Sequence, residues 1–117
     1  MRNGKIVDRD GTEFWYKNGM YHREDGPAII RSDGYENWCL NGLLHREDGP
    51  AIICSNCTKS WYKNGALHRE DGPAIVAWDG GKQWYLNGEC LFTKEEWWEG
   101  LTPDQKEKAL FNGEGVC

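Results

Sequence analysis

Long hydrophobic runs are missing from this chain of 117 residues. No stretch is long enough to cross a membrane, and the first residues, MRNGKIVDRDG, lack the apolar region of a signal peptide. Only 38% of the residues are hydrophobic, and the mean hydropathy is −0.81. The core must therefore be thin, which suits a repeat fold in which each unit packs mainly on its neighbours. Aromatic residues, 13% of the chain, can supply much of the burial.

An excess of basic residues is also missing. The formal net charge is −5 at pH 7, and the isoelectric point is about 5.2. Proteins that bind nucleic acid gain much of their affinity by releasing counterions from phosphates, which requires a basic surface. We therefore expect no direct nucleic-acid partner. The acidic balance is compatible with a partner that presents a basic surface.

Cysteine is present in an odd number, at positions that follow no common spacing. The five are Cys39, Cys54, Cys57, Cys90 and Cys117. A disulfide framework is not expected, and we predict reduced thiols and a cytoplasmic location. Cys54 and Cys57 form a lone CxxC pair, whereas a zinc site needs four ligands. We expect no cofactor and no metal, although a redox or metal role for this pair is left open.

A repeat of 23 residues organises most of the sequence. WYKNGMYHREDGPAII begins at Trp15, WCLNGLLHREDGPAII at Trp38 and WYKNGALHREDGPAIV at Trp61. Repetition at such a period indicates a fold of stacked units. We predict a β-repeat domain over 1–92, with a half-unit at 4–14, full units at 15–37, 38–60 and 61–83, and a partial unit at 84–92. Recurrent Asn-Gly and Asp-Gly pairs predict hairpin turns, and the segments between them predict a meander of roughly eight short strands.

The segment 93–117 has a different character and predicts a helical cap and tail. Thr93 with Glu96, and Thr102 with Pro103 and Gln105, are typical of helix starts. We predict two short helices, at about 94–100 and 103–111. Five apolar residues are expected to seal the last strand, namely Trp97, Trp98, Leu101, Leu110 and Phe111.

Strand alternation divides the aromatic residues between two faces of the sheet. Trp15, Trp38, Trp61 and Trp84 fall on one face, where we expect a structural row. Tyr16, Tyr62 and Tyr85, with Cys39 at the equivalent position, fall on the other. The loops of a single sheet can cover one face only, so something else must cover the second. The first strand, around 5–7, is an open edge through which the chain could form a homodimer.

The order Trp-x-x-Asn-Gly, two residues, His, then Gly, then Asp-Gly, at a period of 23, resembles the MORN repeat. The copies of HREDGPA make it more similar to a MORN-like variant found in bacteria and bacteriophages. The resemblance covers about 4–91. It implies an elongated single-layer sheet of β-hairpins with a scaffolding or binding role rather than chemistry. It also implies that a small phage member inhibits a host protein. MORN repeats usually carry His-Gly where these copies carry His-Arg-Glu-Asp-Gly-Pro.

The triplicated HRED motif allows three interpretations. Equivalent positions should lie about 9–10 Å apart, so the three His cannot share one metal ion. No Ser or Cys recurs beside them as a nucleophile, which argues against an enzyme. The structural interpretation is the strongest: His donates to a carbonyl, Asp accepts from backbone N–H groups, and Arg pairs with Glu of the adjacent unit. These residues are His22, His45, His68, Arg23, Arg46, Arg69, Glu24, Glu47 and Glu70.

The expected function is a non-enzymatic protein–protein interaction module. The resemblance implies a phage- or bacterium-encoded inhibitor or adaptor, of an anti-defence type, that binds and blocks a host protein. The predicted partner surface comprises the Tyr row, an exposed ridge of the Arg and Glu side chains, and Trp78. A self-associating assembly protein is the first alternative. Binding to a membrane surface or phospholipid is a weaker one, because the chain lacks a Lys-rich face.

Overall fold

The structure is a computed structural model that describes residues 2–91 and 93–111, apart from the side chains of 94 and 108–111. An open meander of antiparallel strands is followed by two short helices, and the molecule measures 45 × 28 × 22 Å. No helix in the described part is long and apolar enough to cross a membrane. The strands are β1 (Gly4–Val7), β2 (Glu13–Lys17), β3 (Met20–Tyr21), β4 (Ile29–Ile30), β5 (Glu36–Asn37), β6 (Cys39–Leu40), β7 (Leu43–Leu44), β8 (Ile52–Ile53), β9 (Lys59–Ser60), β10 (Tyr62–Lys63), β11 (Ala66–Leu67), β12 (Ile75–Val76), β13 (Lys82–Leu86) and β14 (Glu89–Leu91).

One long sheet runs through the molecule in the order β1-β2-β4-β5-β8-β9-β12-β13-β14, and β3 pairs with β2. Two small ladders, β6-β7 and β10-β11, continue the hairpins beside it. The strands outnumber the roughly eight expected, because regular pairing is interrupted at the tryptophan of the middle units. The Trp38 N–H donates to the Ala51 carbonyl at 2.7 Å, and the Trp38 carbonyl accepts from the His45 N–H at 3.0 Å. The backbone thus changes neighbours at this residue, and β5 and β6 remain separate.

The Asn-Gly turns have the predicted hairpin geometry. The φ angles of Asn18, Asn41, Asn64 and Asn87 lie between 49° and 52°. Each following glycine also has a positive φ, as a two-residue turn of this kind requires. In the turn at 56–57, Cys57 occupies the position of the glycine with a φ of 73°.

Two helices close the C-terminal end of the sheet, as predicted. They are α1 (Lys94–Glu99) and α2 (Pro103–Phe111). Oγ1 of Thr93 accepts from the Glu96 N–H at 3.1 Å, and Thr102 and Gln105 exchange hydrogen bonds between side chain and backbone. These are the contacts of an N-cap and a capping box.

Trp97 and Leu101 form the buried part of this cap. Trp97 is only 2% exposed, and its indole N–H donates to the Arg69 carbonyl at 2.9 Å. Gly100 lies against Leu86. Trp98 is half-buried, whereas the side chains of Leu110 and Phe111 lie outside the described residues. Elsewhere the core is thin, with Ala28, Ala51 and Ala74 fully buried.

We predict that Trp97→Ala lowers the free energy of unfolding by about 3–5 kcal/mol, because a fully buried indole is lost. Urea denaturation followed by circular dichroism measures the change. The matched control is Trp78→Ala, since Trp78 is 70% exposed and should change stability by less than about 0.5 kcal/mol. Equal effects of the two substitutions would contradict a sealing role for Trp97.

Candidate interaction surfaces

The arginine of each HREDGP loop lies flat over the tryptophan of its own repeat. The guanidinium carbon is 3.9 Å from the ring centroid for Arg23 on Trp15, and 3.8 Å for both Arg46 on Trp38 and Arg69 on Trp61. This distance is well within the range of a cation–π contact. The long apolar stem of arginine also shields the ring from water.

Three other residues of the same loop hold the guanidinium in place. In the second copy, Arg46 Nε donates to Asp48 Oδ1 at 3.1 Å and Nη1 donates to the Pro50 carbonyl at 3.1 Å. A Cβ on Gly49 would lie only 2.8 Å from the Arg46 Cζ, so a side chain there would have to displace the guanidinium. The first and third copies make the same contacts. The letters R, D, G and P of the motif therefore form one clamp around the tryptophan.

This clamp corrects the predicted ridge of alternating Arg and Glu. The Nε group of each arginine binds the aspartate of its own loop rather than a glutamate of the adjacent unit. Their side chains are only 24%, 20% and 5% exposed, in chain order. The solvent side of the loops instead presents carboxylates, of which Glu24 and Glu47 are 78% and 71% exposed. The ridge is therefore acidic, with Glu70 less exposed than the other two.

Each histidine of the motif links its unit to the next unit along the chain. Nδ1 of His22, His45 and His68 accepts from the backbone N–H of Asn41, Asn64 and Asn87, at 2.9, 2.9 and 2.8 Å. The neutral ring must then carry its proton on Nε2. Nε2 donates to Glu24, Glu47 and Glu70 at 3.4, 2.6 and 2.9 Å. The expected donation to a carbonyl is thus replaced by an acceptor role towards the next turn.

The series of histidine contacts differs at its two ends from the middle: an asparagine replaces the histidine at the first turn, and the last histidine is buried. At the N-terminal end, Asn3 Oδ1 accepts from the Asn18 N–H at 3.0 Å, in the place of a histidine ring. At the other end, His68 is buried and its hydrogen bond lowers the pKa of Glu70. The hydrogen bond from His45 likewise lowers the pKa of Glu47, and Lys63 contributes to both shifts.

The cysteines differ from one another in state. Cys54 is a free thiol, but Cys57 is disulfide-bonded, so the expectation of a reduced thiol is wrong for Cys57. Burial raises the pKa of the free Cys39 thiol to about 11, which makes it a poor nucleophile. Among the described residues, no group of three or more His, Cys, Asp or Glu is placed to hold a metal ion.

The face opposite the tryptophans carries two rows of uncharged side chains, and we call it the open face. Residues paired across strands share a face, so one row follows directly from the strand register. This first row is Phe14, Ile29, Asn37, Ile52, Ser60, Ile75 and Gln83. The second row, along the hairpins, is Tyr16, Tyr21, Cys39, Leu44, Tyr62, Leu67, Tyr85 and Cys90. The loop and helix contacts described above fall on the tryptophan face.

Tyr21 also belongs to the open face, although strand alternation along β2 alone does not reveal it. Its ring stacks on Tyr16 and Phe14, with centroids 5.1 and 6.0 Å apart. Counting across the two-residue Asn-Gly turn places Tyr21 opposite Tyr16 and so could have found it. Hydrogen bonds with Tyr16 and Cys90 raise the pKa of Tyr21 and Tyr85, and both phenols stay neutral at physiological pH.

Several large apolar side chains project at the edges of the sheet. The side chain of Trp78 is 70% exposed beside the turn at 79–80, and the backbone N–H of this residue donates to Thr58 Oγ1 at 3.1 Å. Val7 lies on the edge strand β1, and Met20 and Leu43 lie beside the Asn-Gly turns. Of the predicted partner residues, Trp78 is therefore accessible, and Tyr16, Tyr62 and Tyr85 are half-buried on the open face. The three arginines are turned inwards.

Comparison with known proteins gave no similarity to interpret: no family model, no curated protein and no solved structure matches the chain.

We predict that the Gly49→Ala substitution destabilises the protein by about 1–3 kcal/mol, because its Cβ displaces the Arg46 guanidinium. In an Arg46→Ala background the same substitution should cost much less. A double-mutant cycle measured by urea denaturation gives the coupling. Additive effects would show that the glycine is required for a reason other than the arginine.

We predict that stability falls as the solution becomes acidic. The folded-state pKa of Glu47 and Glu70 lies below the ordinary value of 4.5, so the unfolded chain binds more protons near this pH. Their contribution is fully present above about pH 4.5 and is lost as the pH falls through the folded-state pKa. The variant with Glu47→Gln and Glu70→Gln should show a shallower loss between pH 5 and pH 3. Thermal melts at each pH measure this. A melting temperature that falls with pH as steeply in the variant as in the wild type would argue against these histidine–glutamate bonds.

Proposed function

We propose that this chain is a MORN-like repeat protein of about four hairpin units that acts as a non-enzymatic protein-binding module. Its role is to occupy a surface of a partner protein, as a phage- or bacterium-encoded inhibitor or adaptor. The repeated Arg–Trp clamps and His–Asn links support the architectural half of this proposal, because they recur every 23 residues. The role as an inhibitor follows from the resemblance of the HREDGPA copies.

The observation that carries the binding role is the open face. Its aromatic and aliphatic side chains stand on paired strands, which hold them at fixed spacing, so little conformational entropy is lost when a partner binds. Tyrosine gives large contact area with few rotatable bonds and is enriched at interface hot spots. Tyr16, Tyr62 and Tyr85 are the central contacts of this proposal.

The acidic ridge supplies a second part of the proposed interface. Carboxylates that stand out from the loops attract a basic surface and speed association, more than they add affinity. Glu24, Glu47 and Glu70 are the contacts here, while Trp78 offers a separate exposed anchor. A partner with a basic patch beside an apolar one suits both surfaces.

A second candidate is a self-associating assembly protein. Strand β1 has a neighbour on one side only, and Val7 on it is 55% exposed. An unpaired strand edge is a template for another chain. This candidate predicts a mass that keeps growing with concentration, whereas a binding module reaches a fixed stoichiometry.

The test is affinity capture with the tagged chain from a bacterial lysate, followed by binding measurements with the purified candidate partner. We expect one dominant protein, whose affinity falls at least about tenfold when Tyr16, Tyr62 and Tyr85 become serine. A matched triple variant, Glu24→Gln, Glu47→Gln and Glu70→Gln, should slow association and reduce its salt dependence while changing the dissociation rate little.

Circular dichroism of both triple variants serves as the check that each is folded. Recovery of the chain alone, in every lysate tried, would contradict the inhibitor role and favour self-assembly. If both triple variants lose the same amount of affinity, neither the Tyr row nor the acidic ridge is the specific contact surface.

A further inference from the structure

We propose that, in the absence of another partner, a second copy of this chain covers the open face. The two sheets pack face to face around a two-fold axis that runs along strand β8. The proposal concerns the face, not the β1 edge, and it does not depend on the identity of any other partner.

The open face carries no charge along its strands. Every strand position on it is uncharged, although the chain has a net charge of −5. The neighbouring positions on the other face, in contrast, carry Glu13, Glu36, Lys59 and Lys82. Arg2 and Arg31 lie at the rim of the open face, over the rings of Tyr16 and Tyr35. Two acidic copies can therefore meet here without bringing like charges together at the centre.

The open face is large enough for a weak dimer. Nine strands at a spacing of about 4.8 Å give a length of about 40 Å, and two rows that lie two residues, or about 7 Å, apart cover a band about 14 Å wide. The resulting area of about 550 Å² per copy, or about 1,100 Å² in total, exceeds the roughly 1,000 Å² expected of a biological interface and belongs to the weak end of the range. Sheets that pack face to face in this way lie about 10 Å apart with interdigitating side chains.

The first row of the open face is self-complementary about this axis. With the axis along β8, Ile52 faces Ile52 of the second copy. The row then places Asn37 opposite Ser60 of the second copy, so that polar side chains meet. It also places Ile29 opposite Ile75 of the second copy, so that aliphatic side chains meet.

The tyrosine row fits the same axis. Cys39 is the one small side chain at a position occupied by tyrosine in the other units, and it is only 5% exposed. The axis along β8 brings Tyr62 of the second copy over this depression. An axis at right angles that ran along the tyrosine row would instead place Tyr62 on Tyr62 and leave Cys39 opposite Cys39. The geometry thus favours the axis along β8.

The test is light scattering coupled to size exclusion, with the full chain at about 100 µM, above the micromolar range of weak association. We expect twice the chain mass of 13.5 kDa. Ile52→Lys brings two charges together at the axis and should give a monomer. Ile53→Lys is the matched control, because it makes the same change one residue away on the opposite face. It should remain a dimer.

Circular dichroism establishes that each variant is folded, and Ser60→Lys serves as a second disruptive variant if Ile52→Lys does not fold. Val7→Lys tests the β1 edge and should leave the dimer intact. A wild-type monomer at this concentration, a folded Ile52→Lys dimer, or loss of the dimer in Val7→Lys alone would overturn the proposal. A wild-type monomer that still binds a captured partner would overturn the dimer and leave the proposed function intact. A wild-type dimer that captures no partner would support the dimer and contradict the proposed function.

Discussion

The contact between an arginine guanidinium and a tryptophan ring determines how this protein manages with so thin a core. A single-layer sheet has no second layer to cover its aromatic residues, and three of the six buried apolar residues in the described part of the chain are alanines. The arginine guanidinium of each HREDGP loop therefore acts as a lid over the tryptophan ring of its own unit. Because arginine keeps its hydrogen bonds to an aspartate and a proline carbonyl while it lies on the ring, the lid remains satisfied as it is desolvated. The glycine of the motif is needed because the lid occupies the space of its side chain.

The histidine performs the complementary task of joining one unit to the next. The clamp is closed within a repeat, whereas Nδ1 of each histidine receives the N–H group of the next Asn-Gly turn. A turn with positive φ angles exposes such an N–H group, and the ring satisfies it. The side chains that hold a unit together and the histidine ring that joins it to the next are thus different letters of one six-residue motif, while the arginine backbone N–H groups also donate to carbonyls of the next unit. This division suits a one-dimensional array whose stability is the sum of unit and interface terms.

The sequence predicted the features that local chemistry controls. The Asn-Gly turns, both helices and their caps depend on residues close together in the chain, so their positions could be predicted within a residue or two. The hydrogen-bond partner of Arg46 could not be predicted from the sequence, because Glu47 and Asp48 lie next to each other and both are acidic. Only the fold of the loop shows that the guanidinium turns inwards to Asp48. Tyr21 was missed for a related reason, since its place depends on the register across the turn.

An open face is a consequence of how each repeat is connected. Every unit has one long loop, HREDGP, and its other connections are tight turns too short to lie across a sheet. That loop is used on the tryptophan face, so nothing of comparable length is left for the opposite one. The row on the open face also inserts Asn37, Ser60 and Gln83 between its apolar residues. Asn37 donates to the Tyr35 hydroxyl and accepts from the Cys39 thiol, and Gln83 accepts from the Tyr85 hydroxyl. Polar side chains on every other strand of the row still make a poor contact with a hydrocarbon layer, whereas a protein surface can present polar groups opposite them. The pattern therefore favours a protein as the cover of this face.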